Sequence, residues 1–213
     1  MHNPPKFQQH SVAAMHALMR AHPLALLITH GPSGLQASPI PFLVYADEGE
    51  NGTLRAHMAR ANPHWKELGD VDECLVVFQG PDGYVTPSWY PSKVATQKVV
   101  PTWNYATVHV HGKPQVFADA AWLARQLNDL TSFHEAPRPA PWSVADAPDD
   151  YIAAQMKAIV GIEIPIAQLE GKWKMSQNKE EADRQGVLRG MRTADDAHAN
   201  QAVADLLERS LAR

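Results

Sequence analysis

Short apolar runs separated by turn-forming residues constrain this chain more than any other feature. Leu24 to His30 (LALLITH) has strand length, Gly31-Pro32-Ser33-Gly34 is a turn, and Leu35 to Tyr45 (LQASPIPFLVY) reads as a second strand. Pro39 and Pro41 carry no backbone N–H, so that strand has to lie at a sheet edge or bulge. Asp47 to Gly52 turns into a third strand, Thr53 to Ala59. Glu73 to Gln79 is a fourth, followed by a turn at Gly80-Pro81-Asp82-Gly83 and a short strand at Tyr84 to Thr86. Ala106 to His111 and Gln115 to Ala118 read as a hairpin around Gly112-Lys113-Pro114, with further strands at Ile162 to Leu169 and Lys172 to Met175. Such a pattern predicts an α+β fold built round a small closed or half-open antiparallel barrel.

Helical spacing is confined to a few stretches. Gln9 to His22 carries Val12, Met15, Leu18 and Met19 on one side and is ended by Pro23. Asp119 is placed to cap a helix through His134, with Leu123, Leu127 and Leu130 facing the core. Asp149 to Ile159 reads as another helix, stopped by Gly161, and Glu170-Gly171 as a turn. The tail, Thr193 to Leu211, reads as one amphipathic helix opening at TADD. PSWYPSK (Pro87 to Lys93) and VPTWNY (Val100 to Tyr105) follow neither period, and are expected as ordered loops whose aromatic rings pack on a second subunit and the barrel mouth.

A hydrophobic share of 45% against 20% charged residues is that of a soluble globular protein. No apolar run approaches the roughly 18 to 20 residues of a membrane span. The opening MHNPPKFQQHS lacks the apolar core of a secretory signal, so a cytoplasmic location is expected. Cys74, the single cysteine, opens the run CLVVF and reads as core filler. With a net charge of −4 and no basic segment, DNA contact is possible but receives no support from charge.

No GxSxG, HExxH, CxxC, Walker or GxGxxG pattern is present, and no catalytic residue or metal site can be assigned. The richest stretch is His57 to Leu68, HMARANPHWKEL, where a strand feeds a helix opened by Asn62-Pro63. The free N–H groups there, with Arg60 beside them, form a seat for a phosphate, or else Asn62 is an ordinary cap and Arg60 a solvated turn residue. Alternation places Arg55, His57 and Ala59 on one face of that strand and Leu54, Ala56 and Met58 on the other. His109 and His111 share a strand face, as a metal pair or as part of an interface or barrel lining. Ser38, His57, Arg60, Lys93, the Trp103-Asn104-Tyr105 loop, Lys174 and Ser176-Gln177-Asn178 together suit a flat polar heteroaromatic carrying a phosphate, although singly each reads as a surface lysine, a cap or a core aromatic.

The segments HMARANPHW, GPDGYVTPSWY, VPTWNYATVHVHG and KWKMSQN resemble the signature blocks of the PaiB family, placed among the FMN-binding split barrels related to pyridoxamine-phosphate oxidases. The resemblance runs from about Pro5 to Gly186. It implies an antiparallel split β-barrel with peripheral helices: residues 1–190 as the barrel domain with inserted helices, residues 191–213 as a C-terminal helix packed on it. It also implies a homodimer binding FMN in a groove between subunits, and a role as a negative transcriptional regulator. A flavin-dependent oxidoreductase or a haem-binding split barrel are the alternatives. The related oxidases carry a basic strand where this chain has QASPIP (Gln36 to Pro41), including Ser38, so both cations of that strand are missing here. His57, Met58, Arg60 and Asn62 fall at the strand-to-helix phosphate contact, with Lys66 adding charge. Lys93, Lys174, Gln177 and Asn178 belong to the PaiB-like pattern, for flavin or a second pocket.

Overall fold

The computed structural model describes residues 1–211. In chain order its elements are β1 (Gln8–Gln9), α1 (Val12–Ala21), β2 (Leu24–Gly31), β3 (Gly34–Pro41), β4 (Leu43–Tyr45) and β5 (Thr53–Ala59), then a 3-10 helix, Pro63–Asp70. There follow β6 (Cys74–Val85), a 3-10 turn at Pro87–Trp89, α2 (Ser92–Thr96), β7 (Thr102–Gly112), β8 (Gln115–Phe117) and α3 (Ala120–Glu135). Last come α4 (Asp149–Lys157), β9 (Ile159–Pro165), β10 (Gln168–Lys174), α5 (Glu181–Arg192) and α6 (Gln201–Leu211).

The chain divides into two compact units. One holds Met19–Phe78 and His109–Leu169. There β2 pairs antiparallel with β3 and with the first part of β6, and a four-stranded sheet runs β4-β5-β9-β8. Leu27, Phe42, Leu54, Ile162 and Ile164 are buried in its core. The other unit holds Met1–Leu18, Gln79–Val108 and the chain from Glu170. Its strands lie in the order β1, β10, the first part of β7 and the last part of β6, with α5 packed on α6. All strand partners recorded are antiparallel, giving the α+β class expected.

Several boundaries differ from the sequence reading, each for a physical reason. Leu35 to Tyr45 is two strands: Pro41 ends β3 at a sheet edge, Phe42 donates its N–H to Pro23 O and buries its ring beside Phe78, and β4 joins the other sheet. Gly80-Pro81-Asp82-Gly83 is not a turn but the middle of β6. A Cβ on Gly80 would stand 2.7 Å from Leu18 Cδ1, so the glycine is there for close packing. Gly161 likewise lies inside β9, where a Cβ would meet the Trp122 ring at 2.1 Å, and Gly171 inside β10 against Met15. β7 and β8 belong to different sheets and form no hairpin. Thr102 to Tyr105 is strand rather than loop. The helix of the tail starts later than read, at Gln201, because Asn200 rather than TADD caps α6, its Oδ1 accepting from Val203 N. Trp89 packs against α5, where Gly190 leaves room for its indole, and its Nε1 donates to Asp196.

Candidate functional site

The HMARANPHW stretch is held by a buried histidine that the sequence reading passed over. Asn62 does cap the next element, its Oδ1 accepting from His64 N at 3.1 Å, but that element is a 3-10 helix. His64 is 1% exposed. Its Nε2 lies 2.8 Å from Thr29 Oγ1 and its Nδ1 2.9 Å from Ser38 Oγ, which also accepts from Asn62 Nδ2 at 3.2 Å. Burial holds the imidazole below its ordinary pKa, with Glu67 pulling the other way. The neutral ring then donates through one nitrogen and accepts through the other, satisfying a closed network. Ser38 and Asn62 thus come together around His64.

The other residues expected near them have separate engagements. Arg60 is exposed, and its Nε and Nη2 donate to the carbonyls of Lys157 and Ile159, fastening the end of β5 to the start of β9. Its guanidinium lies 5.7 Å from the Trp65 ring. Met58 is buried opposite Val160. His57 Nδ1 donates to Gln126 Oε1 on α3 at 2.8 Å. Lys66 is exposed. His111 stands 3.3 Å from Glu73, and among the described residues no three His, Cys, Asp or Glu side chains gather to hold a metal.

The second cluster lies at the end of β10. Lys174 Nζ donates to Thr102 Oγ1 and to Trp103 O, and lies 5.9 Å from the centre of the Tyr105 ring. Lys172 donates to His2 O and stands 5.2 Å from the same ring, while Lys179 lies over Tyr90. Burial, and then the charges of Lys172 and Lys179, lower the pKa of Lys174. Three ammonium groups that repel one another are the surroundings in which an anion is favoured. Ser176, at φ 60, donates its hydroxyl to Asn104 Oδ1, and Asn104 Nδ2 is fully buried with no partner. The buried hydroxyl of Tyr90 is also without a partner. Gln177 holds the strand end together, donating to Trp173 O and accepting from Met175 N. Asn178 and Lys93 are exposed. Asn104 and Tyr90 were legible only as part of aromatic loops, since nothing local shows that their polar atoms end in the interior.

Residues 1–168 match the family described as "Putative FMN-binding domain". An uncharacterized protein of Aspergillus fumigatus is 38% identical over 224 residues, spanning 84% of this chain and 86% of its own. The protease synthase and sporulation protein PAI 2 of Bacillus subtilis is 31% identical over 158 residues, covering 74% and 73% of the two chains. Among solved structures, the FAD and heme binding protein of Mycobacterium smegmatis superposes with a TM-score of 0.59 at 18% identity, over 84% of this chain and 78% of that one. That likeness extends to the fold, an antiparallel split β-barrel with peripheral helices. The sequence matches carry the family itself: this chain belongs to the PaiB family of FMN-binding-domain proteins.

Proposed function

We propose that this protein binds FMN and that the lysine cluster at the end of β10 receives its phosphate. The observation that carries the reading is the crowding of Lys172, Lys174 and Lys179, with the buried Asn104 Nδ2 close by and lacking a partner. A phosphate dianion would relieve the repulsion among the ammonium groups, and a ring carbonyl or ribityl hydroxyl would satisfy Asn104. The family description names FMN, and the solved neighbour is named for FAD and heme, so both support a flavin. Bound flavin would supply redox chemistry, and this chain's part is to hold and orient it. Arg60, whose Nε and Nη2 already hold backbone carbonyls, is not needed for the phosphate in this reading.

The exposed face of β2, β3 and the start of β6 supports a homodimer. Leu24, Leu26 and Ile28 lie opposite Pro41, Pro39 and Ala37 across one ladder, and Leu26 and Ile28 lie opposite Val77 and Leu75 across the next. Residues directly opposite share a face, and here that face is apolar, with Leu24 at 67% and Leu35 at 77% exposure. A second copy of the same face would cover it. The Bacillus relative is named a protease synthase and sporulation protein, and the regulatory role proposed for this protein works through a partner, given its net charge of −4. The purified protein is expected to show the yellow spectrum of bound flavin, or to acquire it with micromolar FMN. Protein that stays colourless and takes up no FMN contradicts the reading.

A further inference from the structure

On the four-stranded sheet, under α3, lies a pocket of about 230 Å³ that the flavin reading does not use. Its walls are two stacked pairs. Phe117 and Trp122 lie parallel, centroids 4.8 Å apart and 4° between planes, and the Arg55 guanidinium sits 4.3 Å from the centre of the Tyr45 ring. The acids here are engaged: Glu163 accepts from Arg55 at 2.6 Å, and Asp129 accepts from the Tyr45 hydroxyl at 2.6 Å. Glu48, just behind, accepts two further bonds from Arg55.

Two donors are left over. Gln126 is 1% exposed, its Oε1 is taken by His57, and its Nε2 is buried with no partner. A buried amide N–H without an acceptor is rare unless something outside the chain supplies one. Arg125, the next residue on α3, lines the same pocket, is exposed, and has no hydrogen-bond or ion-pair partner among the described residues. Glu163 and Glu48 share the one Arg55 guanidinium and Asp129 is met only by a hydroxyl, so the donors left without a bonded partner among the described residues here are the Arg125 guanidinium and the Gln126 amide N–H.

We infer that this pocket binds a small aromatic carboxylate, its carboxylate received by Gln126 Nε2 and the Arg125 guanidinium and its ring lodged against Phe117. The volume lies below the roughly 300 to 1,000 Å³ that takes a drug-sized ligand. The occupant is therefore a single-ring acid rather than a nucleotide or flavin.

The test uses the full chain with benzoate and benzyl alcohol as probes, followed by calorimetry and by NMR of the Gln126 side-chain NH2 group. Saturable benzoate binding that moves this NH2 signal is expected, with benzyl alcohol bound at least about tenfold more weakly, as loss of a charge-assisted contact implies. Arg125→Ala, at an exposed position, is expected to remove that preference while leaving the fold intact. Three results would overturn the inference: no saturable benzoate binding, equal binding of both probes, or an Arg125→Ala protein that keeps the full preference for benzoate.

Discussion

Ser38 Oγ lies 2.9 Å from His64 Nδ1, although 26 residues separate the two in the chain. The contact joins an edge strand to the 3-10 helix after β5, and Thr29 closes the network from the neighbouring strand. Because burial lowers the pKa of His64, the unfolded chain takes up a proton on this side chain before the folded one does. Its contribution to stability is therefore complete above about pH 6.5, the ordinary histidine value, and declines as pH falls from there toward the lowered folded value. Urea unfolding at pH 7.5 and 5.5 is expected to show this loss in the parent and a smaller one in His64→Gln. His64→Ala, which strips two buried hydroxyls of their partner and opens a cavity, is expected to cost about 2 to 4 kcal/mol at pH 7.5.

Cys74 is 2% exposed, donates weakly to Gly112 O, and has its thiol pushed up to about 12, mainly by burial and then by Glu73. Deprotonation is thus suppressed throughout the neutral range, and the thiolate is the form that reacts. An aromatic disulfide reagent at pH 8 is expected to label the native protein only at the rate of unfolding, and to label it at once in denaturant.

Leu35 is 77% exposed and faces the apolar side of the β2–β3 ladder. If a second copy covers this face, Leu35→Lys divides the dimer while changing the stability of the separate chain by no more than about 0.5 kcal/mol. Light scattering coupled to gel filtration is expected to give twice the monomer mass for the parent and the monomer mass for the variant. A parent that runs as a monomer contradicts the dimer.

What the sequence showed of this fold was what is local in the chain. β2, β5, the Asn62 cap and the Asp119 cap depend on residues within four positions of one another, and each was read correctly. The glycines were misread because a turn and a close approach require the same residue. Gly80 makes room for Leu18, Gly161 for Trp122 and Gly171 for Met15, all distant in sequence. The candidate sites were less legible still. Lys174 and Gln177 could be picked out as polar groups, but the unpartnered Asn104 Nδ2 and Gln126 Nε2 exist only because burial removes their water. Arg60 had the chemistry of a phosphate clamp, yet the carbonyls that engage it are supplied about a hundred residues downstream, at Lys157 and Ile159.

The lysine cluster as a phosphate seat is tested most directly by comparing FMN with riboflavin, which lacks the phosphate, on the parent and on Lys172→Met/Lys174→Met. The account predicts that the parent prefers FMN by about tenfold to a hundredfold for each charge-assisted contact made, and that the double variant binds the two flavins alike. Equal affinity of the parent for both flavins, or a preference for FMN that survives the double substitution, would contradict it.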